Sequence, residues 1–150
     1  MPQPLLPDFW SGLFGEHDRP TGWSLEDLKS AIARDLEDLL NTRRALPDAI
    51  LNGFPHAQVS ILAYGLPDFS ALCVSNDVNS IGAAVAHAIS RHEPRLADVR
   101  ARMLPEASAI NRISFQVHAR LKAGAGGQTV CFDGMLEPSG QRCTIRRRMT

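Results

Sequence analysis

The sequence predicts an α+β fold in which helices pack on one face of a small antiparallel sheet. Apolar residues recur at helical spacing before Pro94, and the period then changes to an alternation of about two after Leu96. Helices followed by a meander of strands are typical of α+β domains with the helices on one sheet face. The 150 residues, 44 % of them apolar, suffice for one hydrophobic core.

The first 22 residues differ in composition from the rest of the chain. Residues 1–22 are rich in Pro and Gly and carry one apolar cluster at spacings of three and four. A short amphipathic segment between prolines does not hold a helix alone, so it must pack on its own domain or on a partner. We expect an N-terminal docking arm at 1–22 and one domain at 23–150. The cluster comprises Leu5, Leu6, Phe9, Trp10, Leu13 and Phe14.

Residues 25–43 form the clearest helical pattern. Ser24 and Asp27 have the spacing of an N-cap with a capping-box partner. Arg43 and Arg44 would lie in the last turn, where cations favour the negative end of the helix dipole. The apolar stripe that predicts the helix comprises Leu25, Leu28, Ile32, Leu36, Leu39 and Leu40.

A second long helix is predicted at residues 78–92. Pro47, Gly53 and Pro55 divide the segment before it into short pieces. Asn76 or Asp77 can cap this helix, and Pro94 ends it because proline disfavours helical geometry in the preceding residue.

The C-terminal third predicts a meander of four strands. Residues 113–121 alternate between apolar and polar side chains, as a half-buried strand does. Gly-rich residues 124–127 and the Ser139–Gly140 pair are the expected turns. The other strands are marked by Val99, Ala101 and Met103, by Val130 and Phe132, and by Cys143, Ile145 and Arg147.

Composition and motif spacing disfavour several classes of function. The 16 basic and 16 acidic residues cancel, which gives no electrostatic case for nucleic acid or an anionic membrane. Cys73, Cys131 and Cys143 are odd in number and widely spaced, which favours reduced thiols. His87 and His92 are five apart, so they do not stack as helical metal ligands do. We expect no metal and no cofactor.

The C-terminal run of arginines has two interpretations. Arg146, Arg147 and Arg148 could form a nucleic-acid patch, or they could place charge on an edge strand and so discourage uncontrolled pairing. The zero net charge favours the edge strand.

Glu93, Pro94 and Arg95 stand out because a rigid bend separates two opposite charges. The charges could form local salt bridges, or they could reach outward as a two-charge recognition element. The alternative is a helix stop with two solvated charges, which the spacing alone favours.

Three segments in order resemble the TssE family of type VI secretion baseplates, which is related to phage baseplate wedge proteins. They are residues 34–44 (RDLEDLLNTRR), residues 64–69 (YGLPDF) and the Glu93-Pro94-Arg95 motif. The resemblance covers about residues 24–145. His92 stands where the family usually has an aromatic residue, and Ala63 stands where it often has Asn.

This resemblance implies a cytoplasmic, non-enzymatic baseplate subunit. Glu93, Pro94 and Arg95 would dock on a helical bundle of neighbouring wedge subunits of the TssF, TssG and TssK type. A handshake-like sheet would accept strands from sheath subunits of the TssB and TssC type and so template sheath assembly. An antiparallel meander leaves edge N–H and C=O groups that an added strand can satisfy. The candidate edge residues are Cys143, Ile145, Arg146 and Arg147.

Two other functions compete with this interpretation. A peptidoglycan-cleaving, lysozyme-like enzyme needs two carboxylates facing a cleft, whereas the carboxylates here are scattered over helix faces. The N-terminus also lacks the basic and apolar segments of a secretion signal. A nucleic-acid module using the C-terminal arginines would bind in a salt-dependent way. We expect neither nucleic-acid binding nor insertion into a membrane.

Overall fold

A computed structural model describes residues 13–14, 23–68, 78–104, 112–122, 127–137 and 139–148. Within them the fold is α+β, as predicted, and no described helix has the length and apolarity to cross a membrane. The helices are α1 (Leu25–Asn41), α2 (Asp48–Leu51), α3 (Pro55–Gln58) and α4 (Val78–His92), with a 3₁₀ turn at Ile61–Ala63.

Helix α1 begins at the predicted capping box. The Ser24 hydroxyl accepts from the Asp27 amide at 3.1 Å, and the Asp27 carboxylate accepts from the Ser24 amide at 3.1 Å. The predicted apolar stripe is buried from Leu28 to Leu40, whereas Leu25 is partly buried.

The predicted end of α1 was two residues too far. The helix ends at Asn41, and Thr42 is extended, with its hydroxyl donating to the Asp38 carbonyl at 2.8 Å. Arg43 and Arg44 therefore lie beyond the last turn. Arg43 instead donates to the Leu40 carbonyl at 3.3 Å, which still places a cation at this end of the helix.

Gly65 allows the chain to pass close to the end of α1. Its φ is +104°, and a Cβ atom there would lie 2.4 Å from the Thr42 carbonyl oxygen. The Leu66 amide donates to that oxygen at 2.9 Å, and the Arg44 amide donates to the Leu66 carbonyl at 2.9 Å.

Helix α4 has the predicted bounds, Val78–His92, and its apolar stripe from Ile81 to Ile89 is buried. The proposed cap, Asn76 or Asp77, lies outside the described residues. So does the predicted arm, apart from Leu13 and Phe14, which are exposed.

The sheet has four antiparallel strands in the order β1-β2-β3-β4. They are β1 (Leu96–Leu104), β2 (Ile113–Leu121), β3 (Thr129–Glu137) and β4 (Arg142–Arg147). All four predicted strands are confirmed. Helix α4 packs against β1 and α1 packs against β4, so the two long helices cover one face.

Phe115 of β2 fills the centre of that covered face because its partner in register is glycine. Phe115 and Gly134 are paired across β2 and β3, and the phenyl ring lies directly over Gly134. A Cβ atom at Gly134 would be 2.3 Å from the Phe115 Cζ atom. A glycine inside a strand here marks a close side-chain approach.

We therefore expect Gly134→Ala to lower the free energy of unfolding by about 2 kcal/mol, because the buried ring must leave its position. Urea denaturation measures this change. Gly140→Ala is the matched control, since a Cβ atom at Gly140 would meet no atom within 4 Å. Equal stability of the two variants would contradict this account of the core.

Candidate functional site

The Glu93-Pro94-Arg95 turn joins α4 to β1, and its glutamate faces inward. The Glu93 amide donates to the Ile89 carbonyl at 2.9 Å, which completes the last turn of α4. The Glu93 carbonyl accepts from the Leu96 amide at 3.2 Å as the strand begins. Glu93 is 4 % exposed, and among the described residues it is the one charged residue that is buried. Pro94, by contrast, is exposed.

Arg95 folds back over the turn and neutralises the buried carboxylate. Its amide and its Nε atom both donate to Glu93 Oε1, at 3.0 Å and 2.7 Å. Its guanidinium also donates to the carboxylate of Asp35 on α1. Burial alone would lower the pKa of Arg95, but the hydrogen bonds and charges of Glu93 and Asp35 raise it above its ordinary value.

These contacts, which we call the Arg95 network, consist of Asp35, Glu93 and Arg95. Local salt bridges, one of the alternatives considered from sequence, are present. The alternative of two solvated charges is wrong, because burial of Glu93 requires a paired cation. The Arg95 side chain keeps 27 % of its surface exposed, so the turn still presents a cation beside Pro94.

Two rings pack beside the Arg95 network and connect the end of α4 to Ala63 and Tyr64. The His92 Nε2 atom lies 3.0 Å from the Ala63 carbonyl oxygen, and the His92 ring packs edge-on against Tyr64 at 5.3 Å. Burial lowers the pKa of His92. Burial and the nearby Asp35 carboxylate raise the pKa of Tyr64. Both rings therefore favour their neutral forms.

The outward backbone groups of β4 are already hydrogen-bonded to α1. The Ile145 amide donates to Glu37 Oε2 at 2.8 Å. The Asn41 side chain accepts from the Cys143 amide and donates to the Cys143 carbonyl, both at 2.8 Å. Glu37 and Asn41 therefore bind this edge much as a neighbouring strand would.

The predicted edge residues thus lie on an outer strand that is partly occupied. Cys143 and Ile145 are buried, and burial raises the pKa of the Cys143 thiol to about 12. Arg147 forms an ion pair with Glu26 near the start of α1, and Arg146 is exposed on the other sheet face. Whether these residues bind a partner remains a prediction.

The outer edge of β1 differs from that of β4. In an antiparallel ladder alternate residues bond to each neighbour, so the register places the backbone groups of Ala101 and Met103 outward. No hydrogen bond to either residue's outward groups occurs within the described chain. Helix α4 passes this edge at Gly82, where a Cβ atom would lie 3.4 Å from the Ala101 oxygen.

A bulge interrupts the start of β1. The register shifts between Ala97 and Arg100, and Asp98 adopts a φ of +54°. Asp tolerates this left-handed conformation better than most residues. The Asp98 carboxylate accepts from Arg120 Nε of β2 at 2.8 Å. The pairing edge of β1 is therefore confined to its second half.

Sequence reasoning missed the α1 residues that complete the site. Asp35, Glu37 and Asn41 all lie in the stretch of α1 that resembles TssE, but from the sequence the carboxylates are only scattered over helix faces. Glu37 and Asn41 are one helical turn apart, which places them on one side of α1. That spacing was the available signal in the sequence. Their partners on β4 are more than a hundred residues away, so no local pattern could indicate which residues they bind.

Within the described ranges, no three His, Cys, Asp or Glu side chains gather in a way that could hold a metal ion. Cys131 Sγ lies 3.9 Å from His118 Nε2 on the sheet.

A family model described as baseplate wedge protein gp25 matches residues 26–125, which include α1, the Arg95 network and β1 and β2. The chain belongs to this family. It is the TssE family, so the resemblance drawn from the sequence is confirmed. Membership assigns the chain a structural role in a baseplate, that of a phage or of a type VI secretion system, with other baseplate subunits as partners. Searches of curated proteins and of solved structures gave no match.

The Arg95 network predicts a specific order of destabilisation. We expect Glu93→Ala to lower the free energy of unfolding by about 3 kcal/mol, because it removes two of the three hydrogen bonds that the partly buried Arg95 guanidinium donates to Glu93 and Asp35. Asp35→Ala should cost less, since Glu93 still neutralises Arg95. Urea denaturation of both variants tests the order. A larger cost for Asp35→Ala would show that the turn does not depend on Glu93.

The capped β4 edge makes a second prediction. We expect Glu37→Ala to raise the hydrogen-exchange rate of the Ile145 amide and Asn41→Ala to raise that of the Cys143 amide. Each substitution should lower the free energy of unfolding by about 1 kcal/mol. Arg34→Ala, at an exposed position of the same helix, is the control. Unchanged exchange at both amides would mean that α1 does not cap this edge.

Proposed function

We propose that this chain is a cytoplasmic baseplate subunit of a type VI secretion system. In this proposal, it docks on wedge subunits through Glu93, Pro94 and Arg95, and its sheet accepts a strand from a sheath subunit. The observation that carries the proposal is the Arg95 network, a turn of fixed shape in the part of the chain that matches the wedge family.

The geometry of the turn supports docking through a small, rigid surface. Glu93 holds the Arg95 guanidinium in one orientation, because its carboxylate accepts from both Nε and Nη2 of Arg95. Preorganisation reduces the entropy lost on binding. The exposed ring of Pro94 and the uncovered part of Arg95 then form the docking element. Glu93 contributes by positioning Arg95.

The sheet edges support strand addition at β1 instead of the predicted β4. The outward amides of Cys143 and Ile145 on β4 already bind α1, and a partner strand would have to displace those bonds. Ala101 and Met103 on β1 offer outward groups without hydrogen bonds inside the described chain. An added strand gains hydrogen bonds there without breaking any, and it must pass beside Gly82 of α4, which lies close to the Ala101 oxygen. The bulge at Asp98 sets where pairing begins.

The same geometry supports a structural rather than a lytic role. Asp35 and Glu93 are carboxylates that the fold brings together, and both bind Arg95. Their charge is therefore used to hold two elements in place, whereas glycoside hydrolysis needs carboxylates that face a cleft.

The proposed partners follow from these two surfaces. Wedge subunits of the TssF, TssG and TssK type would bind the Glu93-Pro94-Arg95 turn, and sheath subunits of the TssB and TssC type would bind the sheet edge. Residues 1–22 would be a docking arm joined to a wedge domain at 23–150.

Docking is tested by a charge placed on the turn without disturbing Glu93. We expect Pro94→Glu to abolish co-purification of the co-expressed wedge subunits, because the new carboxylate competes for Arg95 at the contact. Ser139→Glu, exposed in the turn before β4, is the matched control and should bind as the wild type does. Equal capture by both variants, with unchanged unfolding midpoints, would remove the turn from the interface.

Strand addition is tested by deleting one outward amide. We expect Ala101→Pro to block sheath assembly on the baseplate, because proline cannot donate to an incoming strand. Wedge binding should persist, since the internal ladder does not use this amide. Ala101→Val keeps the amide and adds similar volume, so it should assemble normally. Normal assembly with Ala101→Pro would exclude pairing at this edge.

A further inference from the structure

The face of the sheet opposite α1 and α4 is strongly basic, although the whole chain is neutral. Residues 1–95 contain twelve acidic and seven basic residues, whereas residues 96–150 contain four acidic and nine basic ones. The two parts therefore carry net charges of −5 and +5 with histidine neutral. Charge of one sign concentrated on one side creates a field that attracts an oppositely charged partner.

The strand register places the positive charge on what we call the open face. This face is formed by the side chains that point away from α1 and α4, including Arg100, Arg102, Gln116, Asp133 and Arg146. One cross-strand row runs Arg102, Gln116, Asp133, Arg146, because each residue is the register partner of the next. The arginines therefore lie at the two ends of the row, with a polar centre.

The arginines of the open face are available to a partner. Arg100, Arg102, Arg142 and Arg146 are all exposed, and none forms an ion pair with another described residue. By contrast, Arg120 pairs with Asp98. Uncompensated arginines on a rigid sheet favour carboxylate ligands, which they bind with two parallel hydrogen bonds.

A shallow depression lined by Arg146 lies on the open face, next to the Arg102 end of the row. It has a volume of about 410 Å³ and lies between Leu104, Gln116, Met135, Thr144 and Arg146. The side chains of Leu104 and Met135 supply apolar surface, and Met adapts its shape to different ligands. The site can therefore take an apolar side chain between two positions that favour carboxylates.

We propose that the open face binds an acidic segment of a partner protein, with its carboxylates on Arg102 and Arg146 and an apolar side chain in the depression. A protein segment fits better than a nucleic acid for two reasons. Gln116 and Asp133, joined by a hydrogen bond of 2.9 Å, separate the two arginines of the row, so a ligand must place its negative charges apart, as a peptide can and an evenly charged phosphate backbone cannot. The apolar surface of Leu104 and Met135 also suits an aliphatic side chain, which a peptide supplies and a nucleic acid lacks. This proposal uses the face of the sheet and is independent of the turn and the β1 edge.

The test is an NMR titration of the labelled full chain with an acidic peptide of about twelve residues, mostly Glu and Gly with one central Leu. We expect amide shifts to change at Gln116, Asp133 and Met135, and binding to weaken as salt rises. Arg102→Ser and Arg146→Ser should each weaken binding about two- to fivefold, the range measured for exposed ion pairs. Arg34→Ser, an exposed arginine on α1, is the matched control.

Three outcomes would overturn the proposal. The first is equal binding of a peptide with Lys in place of Glu, and the second is equal loss with Arg34→Ser. The third is tighter binding of a single-stranded oligonucleotide of the same charge, which would assign the face to nucleic acid. The variants replace exposed side chains, and matching unfolding midpoints confirm that each is folded.

Discussion

The fold is organised around one buried carboxylate. Glu93 lies where α4 becomes β1, and a charge placed there requires a cation that is held in place. Arg95 supplies it from two residues away and reaches Asp35 on α1 with the same guanidinium. The junction of helix and strand is thereby bound to the first helix. This connection ties the proposed docking turn to both structural layers.

Helix α1 combines three roles along one length of chain. Its apolar stripe fills the core, Asp35 joins the Arg95 network, and Glu37 and Asn41 bind the outer groups of β4. An unprotected edge strand is a template for uncontrolled association. By bonding the outward groups of β4 and leaving those of Ala101 and Met103 without hydrogen bonds among the described residues, the chain restricts where another strand can add. The open face adds a further distinction, because Arg100, Arg102 and Arg146 give it positive charge.

The regular elements could be predicted because their signals are local. The capping box at Ser24, the 3.6 period of α4 and the alternation in β2 each occupy a short window, and each agrees with the structure. The end of α1 was misplaced because Arg43, Arg44 and Ala45, which follow Thr42, are good helix formers. In the structure Thr42 is extended where Gly65 passes close to it. Asp35 and Glu93 are far apart in sequence, so neither residue alone indicated the network. The capping of β4 by Glu37 and Asn41 depends on how closely α1 packs to that strand, which no local pattern encodes.

The central claim is that α1 closes the β4 edge and directs a partner strand to β1. Electron cryomicroscopy of this chain assembled with its wedge and sheath subunits tests it most directly. Our account predicts a sheath strand beside β1, hydrogen-bonded to Ala101 and Met103, with Glu37 and Asn41 still bound to Ile145 and Cys143. A strand paired with β4 in place of the Glu37 and Asn41 side chains would contradict it.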